Sequence, residues 1–91
     1  MARKYQLILS PQAQRDIQFW GKSDRSKLER IARLLEAIVE SPFDGIGRPK
    51  ELRHEFQGAW SRRIDGTHRI IYEVDGPTIA ILSLRGHYGD S

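Results

Sequence analysis

Trp60-Ser61-Arg62-Arg63-Ile64-Asp65-Gly66-Thr67-His68-Arg69-Ile70-Ile71-Tyr72-Glu73-Val74 reads as a β-hairpin. Two runs rich in β-branched and aromatic residues flank Asp65-Gly66, a dipeptide suited to a tight hairpin turn. Side chains alternate across a strand. Arg69, Ile71 and Glu73 therefore share one face, and Ile70, Tyr72 and Val74 the other. The second set is the better core face, so Arg69 projects from the opposite side. Its cross-strand neighbour depends on register. A two-residue loop sets Arg62 opposite Arg69, whereas a three-residue loop through Thr67 sets Arg63 there. Either way two guanidinium groups sit close together. Like charges placed opposite each other cost up to about 1 kcal/mol. A protein tolerates that where an anion bridges them, or where Glu51, Glu55 or Glu73 neutralises them.

Working outward, Asp75-Gly76-Pro77 turns the chain into Ile79 to Leu84, an apolar run that predicts an interior strand. On the N-terminal side, Tyr5 to Leu9 reads as a first strand. Ser10-Pro11 then opens a helix to about Trp20, with Ala13, Ile17 and Trp20 on one face and Gly21 as its stop. Ser23 and Asp24 offer a cap for a second helix, Ser26 to Glu40. Leu28, Ile31, Leu35 and Ile38 follow helical spacing there, with Leu34 and Val39 widening the stripe. Lys27, Arg30, Arg33 and Glu36 form its solvated side. Residues 41–49 are too rich in Pro and Gly for a regular element, and Phe43 and Ile46 are expected to pin this loop to the core. The predicted fold class is α+β, in the order β-α-α-β-β-β. Two N-terminal helices pack on one face of a small antiparallel sheet, which leaves the other face for function.

The 91 residues suit one domain, 1–91, with Gly89-Asp90-Ser91 as a flexible tail. There is no cysteine, which removes disulfides, thiol nucleophiles and thiolate metal sites. No apolar run approaches the roughly 20 residues that cross a bilayer, and none follows the basic start as a secretory signal would. A cytoplasmic protein with no membrane partner is expected. The net charge of +3 permits nucleic-acid binding without requiring it. Arginines outnumber lysines, and the guanidinium fork suits phosphate.

Arg85-Gly86-His87-Tyr88 follows the last strand. His is the usual acid or base near neutral pH, and Tyr stacks on unpaired bases. His54, His68 and His87 have no metal-ligand spacing, so neither metal nor cofactor is expected. Phosphate-binding glycine loops and serine-nucleophile motifs are missing.

Ser41-Pro42-Phe43-Asp44-Gly45-Ile46-Gly47-Arg48-Pro49, Gly58-Ala59-Trp60-Ser61-Arg62-Arg63-Ile64, His68-Arg69-Ile70-Ile71-Tyr72 and His87-Tyr88 together resemble the YoeB toxins of the RelE/ParE superfamily. The resemblance implies a RelE-like fold, similar to microbial ribonucleases, and a type II toxin that cuts translated mRNA at the ribosomal A site. It implies as partners a cognate antitoxin of YefM/Phd or RelB type, the ribosome and mRNA. Operator DNA is implied only through the antitoxin complex, and a homodimer is possible. By the same resemblance His87 is the general acid, Arg69 and Arg63 stabilise the transition state, and Tyr88 positions substrate. Lys50, Arg53, Arg62 and Arg85 are candidate RNA contacts.

One departure concerns the base. The YoeB pattern has a glutamate directly after the proline that stands here as Pro49. This chain has Lys50 there and Glu51 one residue later. A one-residue shift in a strand changes face. Either Glu51 serves as base after a loop adjustment, or Lys50 does so as an amine, as in RelE-type relatives, or the enzyme is weakened. Two other classes compete: a ParE-like gyrase poison, against which His87-Tyr88 argues, and a non-catalytic module that binds RNA or antitoxin.

Overall fold

The computed structural model describes residues 5–53 and 57–86. Seven elements follow in order: β1 (Gln6–Leu9), α1 (Pro11–Ser23), α2 (Arg25–Glu40), β2 (Lys50–Glu51), β3 (Ala59–Arg63), β4 (Arg69–Asp75) and β5 (Thr78–Ser83). The strands form one sheet in the order β1-β5-β4-β3-β2. Its pairs are antiparallel except β1 with β5, which run parallel. The sheet is therefore mixed, where a wholly antiparallel one was expected. The helices supply the crossover that a parallel pair needs. β5 sits between β1 and β4, as its apolar run implied.

Ser10 caps α1 through Oγ, which accepts from Ala13 N–H at 3.0 Å and donates to Leu82 O at 2.8 Å. Gly21 does not end this helix. A helical glycine costs about 1 kcal/mol relative to Ala without breaking the hydrogen-bond ladder. The stop is Asp24, whose extended backbone ends α1 and whose carboxylate caps α2 by accepting from Lys27 N–H.

Ala13, Trp20, Ile31, Leu34 and Ile38 from the helices pack on Ile64, Ile70, Tyr72, Ile79, Ile81 and Leu84. A smaller cluster of Leu52, Ala59, Ile71 and Leu82 covers part of the opposite sheet face. Pairing shifts between Ile71, opposite Ser83, and Tyr72, opposite Ile81. Leu82 is thus an extra residue on β5. This bulge brings Ser83 to the outer face and returns Leu84 to the core.

Loop 41–49 is fastened differently from the expectation. Phe43 and Ile46 are both about half exposed, and Phe43 only meets the Trp60 ring at a tilt, 5.0 Å between centroids. Arg62 does the pinning. Its fully buried guanidinium donates to the carbonyls of Ser41, Asp44 (2.8 Å) and Ile46 (3.1 Å), and to Tyr72 Oη (3.1 Å). Tyr72 passes its own proton to Pro42 O at 2.6 Å. Burial pushes the Tyr72 hydroxyl pKa up despite Arg62, which keeps it a donor. Gly47 closes the loop at φ 86°, where a Cβ would meet Leu34 at 2.7 Å. On α2, Arg30 is no free surface cation. Its Nε donates to Ile64 O at 2.8 Å and ties the helix to the hairpin. No helix among the described residues is long and apolar enough to cross a membrane.

Candidate active site

The hairpin register places Arg63 opposite Arg69. The turn has three residues. Ile64 N–H and Asp65 N–H both donate to His68 O, and Asp65 Oδ1 accepts from the N–H groups of Thr67 and His68. Arg63 and Arg69 do not exchange ladder hydrogen bonds. Arg63 N–H donates to Gly47 O at 2.6 Å, and Arg69 N–H donates to Gly86 O at 2.8 Å. Such non-hydrogen-bonded pairs bring side chains closest, with Cα atoms about 4.5 Å apart. The same two bonds fix the flanks of the site. The segment leading to Lys50 lies against one side of the arginine pair, and the segment through Gly86 lies against the other.

Arg69 is only 8% exposed, and its Nη1 donates to Ser61 Oγ at 3.3 Å. Arg63 is half-buried. Lys50 pairs with Ser61, and Glu51 with Trp60. Directly opposed residues share a face. Lys50 thus joins Ser61, Arg63 and Arg69 on the outer face, while Glu51 stands on the side of Trp60. The expectation of Glu51 within the site is corrected by this register. Glu73 lies four residues from Arg69 along β4, about 13 Å at strand rise, and is too far to neutralise the pair. Glu55 lies outside the described residues.

Arg62 is a second correction. It was expected to contact RNA, yet it is fully buried on the core face and committed to loop carbonyls. Arg53 is exposed just beyond β2. Arg85 lies beyond β5, its guanidinium 3.6 Å from the Phe19 ring centroid. It borders a cleft of about 350 Å³ with Gln12, Asp16, His68 and Gly86. His87 and Tyr88 lie outside the described residues. Among the described residues no group of three or more His, Asp or Glu is arranged to hold a metal.

Three polar residues escaped the sequence reading. Ser61 braces Arg69. Ser83 Oγ is buried without a hydrogen-bond partner among the described residues. Asp16, 1% exposed on α1, accepts from Leu84 N–H at 2.8 Å and from Gln12. A lone acid on the apolar stripe of α1, at helical spacing from Ala13 and Trp20, was the signal available.

A mixed sheet backed by two helices, with paired arginines on its free face, defines the RelE-type class of small toxin domains. Residues 9–88 match the family described as the YoeB-like toxin of bacterial type II toxin-antitoxin systems, and the chain belongs to that family. Toxin YoeB of Mycobacterium bovis is 44% identical over 78 residues, 86% of this chain and 92% of the relative. The structure of a YoeB dimer from Staphylococcus aureus matches with a TM-score of 0.84 at 35% identity, over 93% of this chain and 99% of that one. The toxin in a heterotetrameric YoeB-YefM toxin-antitoxin complex from the same organism matches with a TM-score of 0.83 at 36% identity, over 96% and 100%.

Proposed function

We propose that this toxin is an endoribonuclease that cuts translated mRNA at the ribosomal A site. The observation that carries the reading is the Arg63–Arg69 pair held between two backbone anchors, Gly47 on one side and Gly86 on the other. Cleavage proceeds by attack of an RNA 2′-hydroxyl on the adjacent phosphorus. The new O2′–P bond gives a cyclic phosphate, and the P–O5′ bond breaks. The base takes the hydroxyl proton and the acid delivers one to the departing O5′. Attacking and departing oxygens lie on opposite sides of phosphorus. A base and an acid on opposite flanks of the arginine pair fit that demand.

Lys50, on the Gly47 flank, is the base that takes the hydroxyl proton. His87, covalently next to Gly86, is the acid, and Tyr88 orients the substrate. Arg63 and Arg69 stabilise the charge that builds on the phosphoryl oxygens, a contribution commonly worth about 100-fold or more. Arg53 and Arg85 guide the RNA backbone. A YoeB dimer and a YoeB-YefM complex are known from Staphylococcus aureus; by that likeness the chain forms a homodimer and is bound and neutralised by a cognate antitoxin. It acts in the cytoplasm, where translation occurs.

Primer extension on a translated mRNA tests this. Lys50→Ala, Arg69→Ala and His87→Ala should each reduce cleavage by about 100-fold or more, while Glu51→Ala cleaves as wild type does. A folded Arg69→Ala variant that cuts at the wild-type rate sinks the proposal. Inhibition of gyrase supercoiling without RNA cleavage would establish the ParE-like alternative instead.

A further inference from the structure

His68 stands directly before Arg69, and its ring is bound to the segment beyond β5. Its Nδ1 accepts from Gly86 N–H at 2.9 Å. The next residue completes the grip, since Arg69 N–H donates to Gly86 O at 2.8 Å. Two consecutive residues of β4 and its turn thus hold both peptide groups of Gly86. The preceding residues are held by α1. Trp20 Nε1–H donates to Leu84 O at 2.8 Å, and Asp16 accepts from Leu84 N–H at 2.8 Å. The Trp20 ring also meets the His68 ring edge to face, 4.9 Å between centroids.

The imidazole is not needed for the turn. The turn uses only the backbone of His68, whose N–H and C=O bond to Asp65 and Ile64. A ring nitrogen accepts a hydrogen bond only when it carries no proton, so this contact uses the tautomer with its proton on Nε2. Gly86 has φ 74°, a conformation natural to glycine. Both of its peptide groups are held, its N–H by His68 and its C=O by Arg69.

We propose that His68 is a positioning residue: its imidazole fastens Gly86, the residue to which the acid His87 is covalently joined. This rests on the reading of His87 as the acid. Misplacing a reacting group by about 1 Å costs on the order of 100-fold in rate. The loss falls on turnover, because the arginine pair that binds phosphate is untouched.

Three variants test it, purified from the antitoxin complex. His68→Asn keeps an acceptor at the Nδ1 position. His68→Gln carries its oxygen near the Nε2 position, and His68→Leu has no acceptor. Hydrogen exchange at the Gly86 amide is read by NMR. Cleavage of translated mRNA is read as kcat and KM. Asn should keep Gly86 protected and kcat within a few-fold of wild type. Leu should exchange about tenfold faster at Gly86 and lose about 100-fold in kcat, with KM within about threefold. Gln should behave as Leu does, and it carries the test if Leu impairs folding. Equal kcat or equal Gly86 exchange in wild type and a folded His68→Gln or His68→Leu variant overturns the inference alone. A wild-type protein that leaves translated mRNA intact overturns the proposed function and the inference with it.

Discussion

Arg62 and Arg63 are neighbours in sequence and opposites in role. Alternation sends one guanidinium into the core and the other to the outer face, and the parity is set by the turn. Arg62 donates to the carbonyls of Ser41, Asp44 and Ile46 and so ties loop 41–49 to β3. Arg62→Met should destabilise the fold by about 1–3 kcal/mol, because it removes the donor of three loop carbonyls and of Tyr72 Oη. Arg63→Ala should change stability by less than about 0.5 kcal/mol while reducing cleavage. Urea unfolding separates the two. If Arg62→Met unfolds at the wild-type urea concentration, the loop is held by something else. Ser83 gives a smaller effect with the opposite sign. Its buried hydroxyl has no partner among the described residues, so Ser83→Ala should leave stability unchanged or raise it by about 1 kcal/mol. Neither role was legible in the sequence. An arginine doublet in a strand shows that one member faces inward, but only the turn geometry says which. The same parity separates Lys50 from Glu51.

The turn between β3 and β4 is where that parity is decided. Asp65 Oδ1 accepts from Thr67 and His68 N–H, and Oδ2 pairs with Lys27 Nζ at 2.6 Å. Burial raises the Asp65 pKa, but the hydrogen bonds from Lys27, His68 and Thr67 outweigh it, and the carboxyl falls to about 2. A depressed carboxyl pKa contributes stability that is complete above the unfolded value of about 3.8 and is lost as pH falls through about 2. Asp65→Asn should therefore be less stable than wild type at neutral pH by at most about 2 kcal/mol. The gap should close as pH drops from 4 toward 2. A difference that stays constant over that range would remove the carboxylate's charge from the account. Elements of this size were legible to differing degrees. Both helices followed from their 3.6-residue stripes and Ser or Asp caps, although Gly21 misled about the end of α1. β3 and β4 were visible through alternation around Asp65-Gly66. The parallel pairing of β1 with β5 joins residues about 70 positions apart, and no local pattern encodes it. β2 has two residues, too few for any periodicity.

For the whole molecule the question is whether its charge or its architecture would bind RNA. A net charge of +3 spread over the surface gives weak attraction. The fold instead gathers Lys50, Arg63 and Arg69 on one sheet face, opposite the helices, and spends Arg62 and Arg30 on structure. That concentration was only partly legible, because which cations face outward depends on a register and an edge pairing that three-dimensional contacts decide. It has a measurable consequence. Neutralising phosphates of a single strand releases counterions, so log K falls against log salt with a slope of about −0.7 per contact. The two guanidinium groups at the site imply a slope of about −1.4 for a short single-stranded RNA. Arg63→Ala should make it shallower by about 0.7. Arg33→Ala removes an equal charge from an exposed position on α2 and should leave the slope unchanged. Fluorescence anisotropy of labelled RNA over roughly 50 to 200 mM salt reads both. If the two variants shift the slope equally, binding follows net charge, and the arginine face has no special claim on the RNA. If only Arg63→Ala does, the placement of a few cations by one hairpin turn governs how this small basic domain meets its substrate.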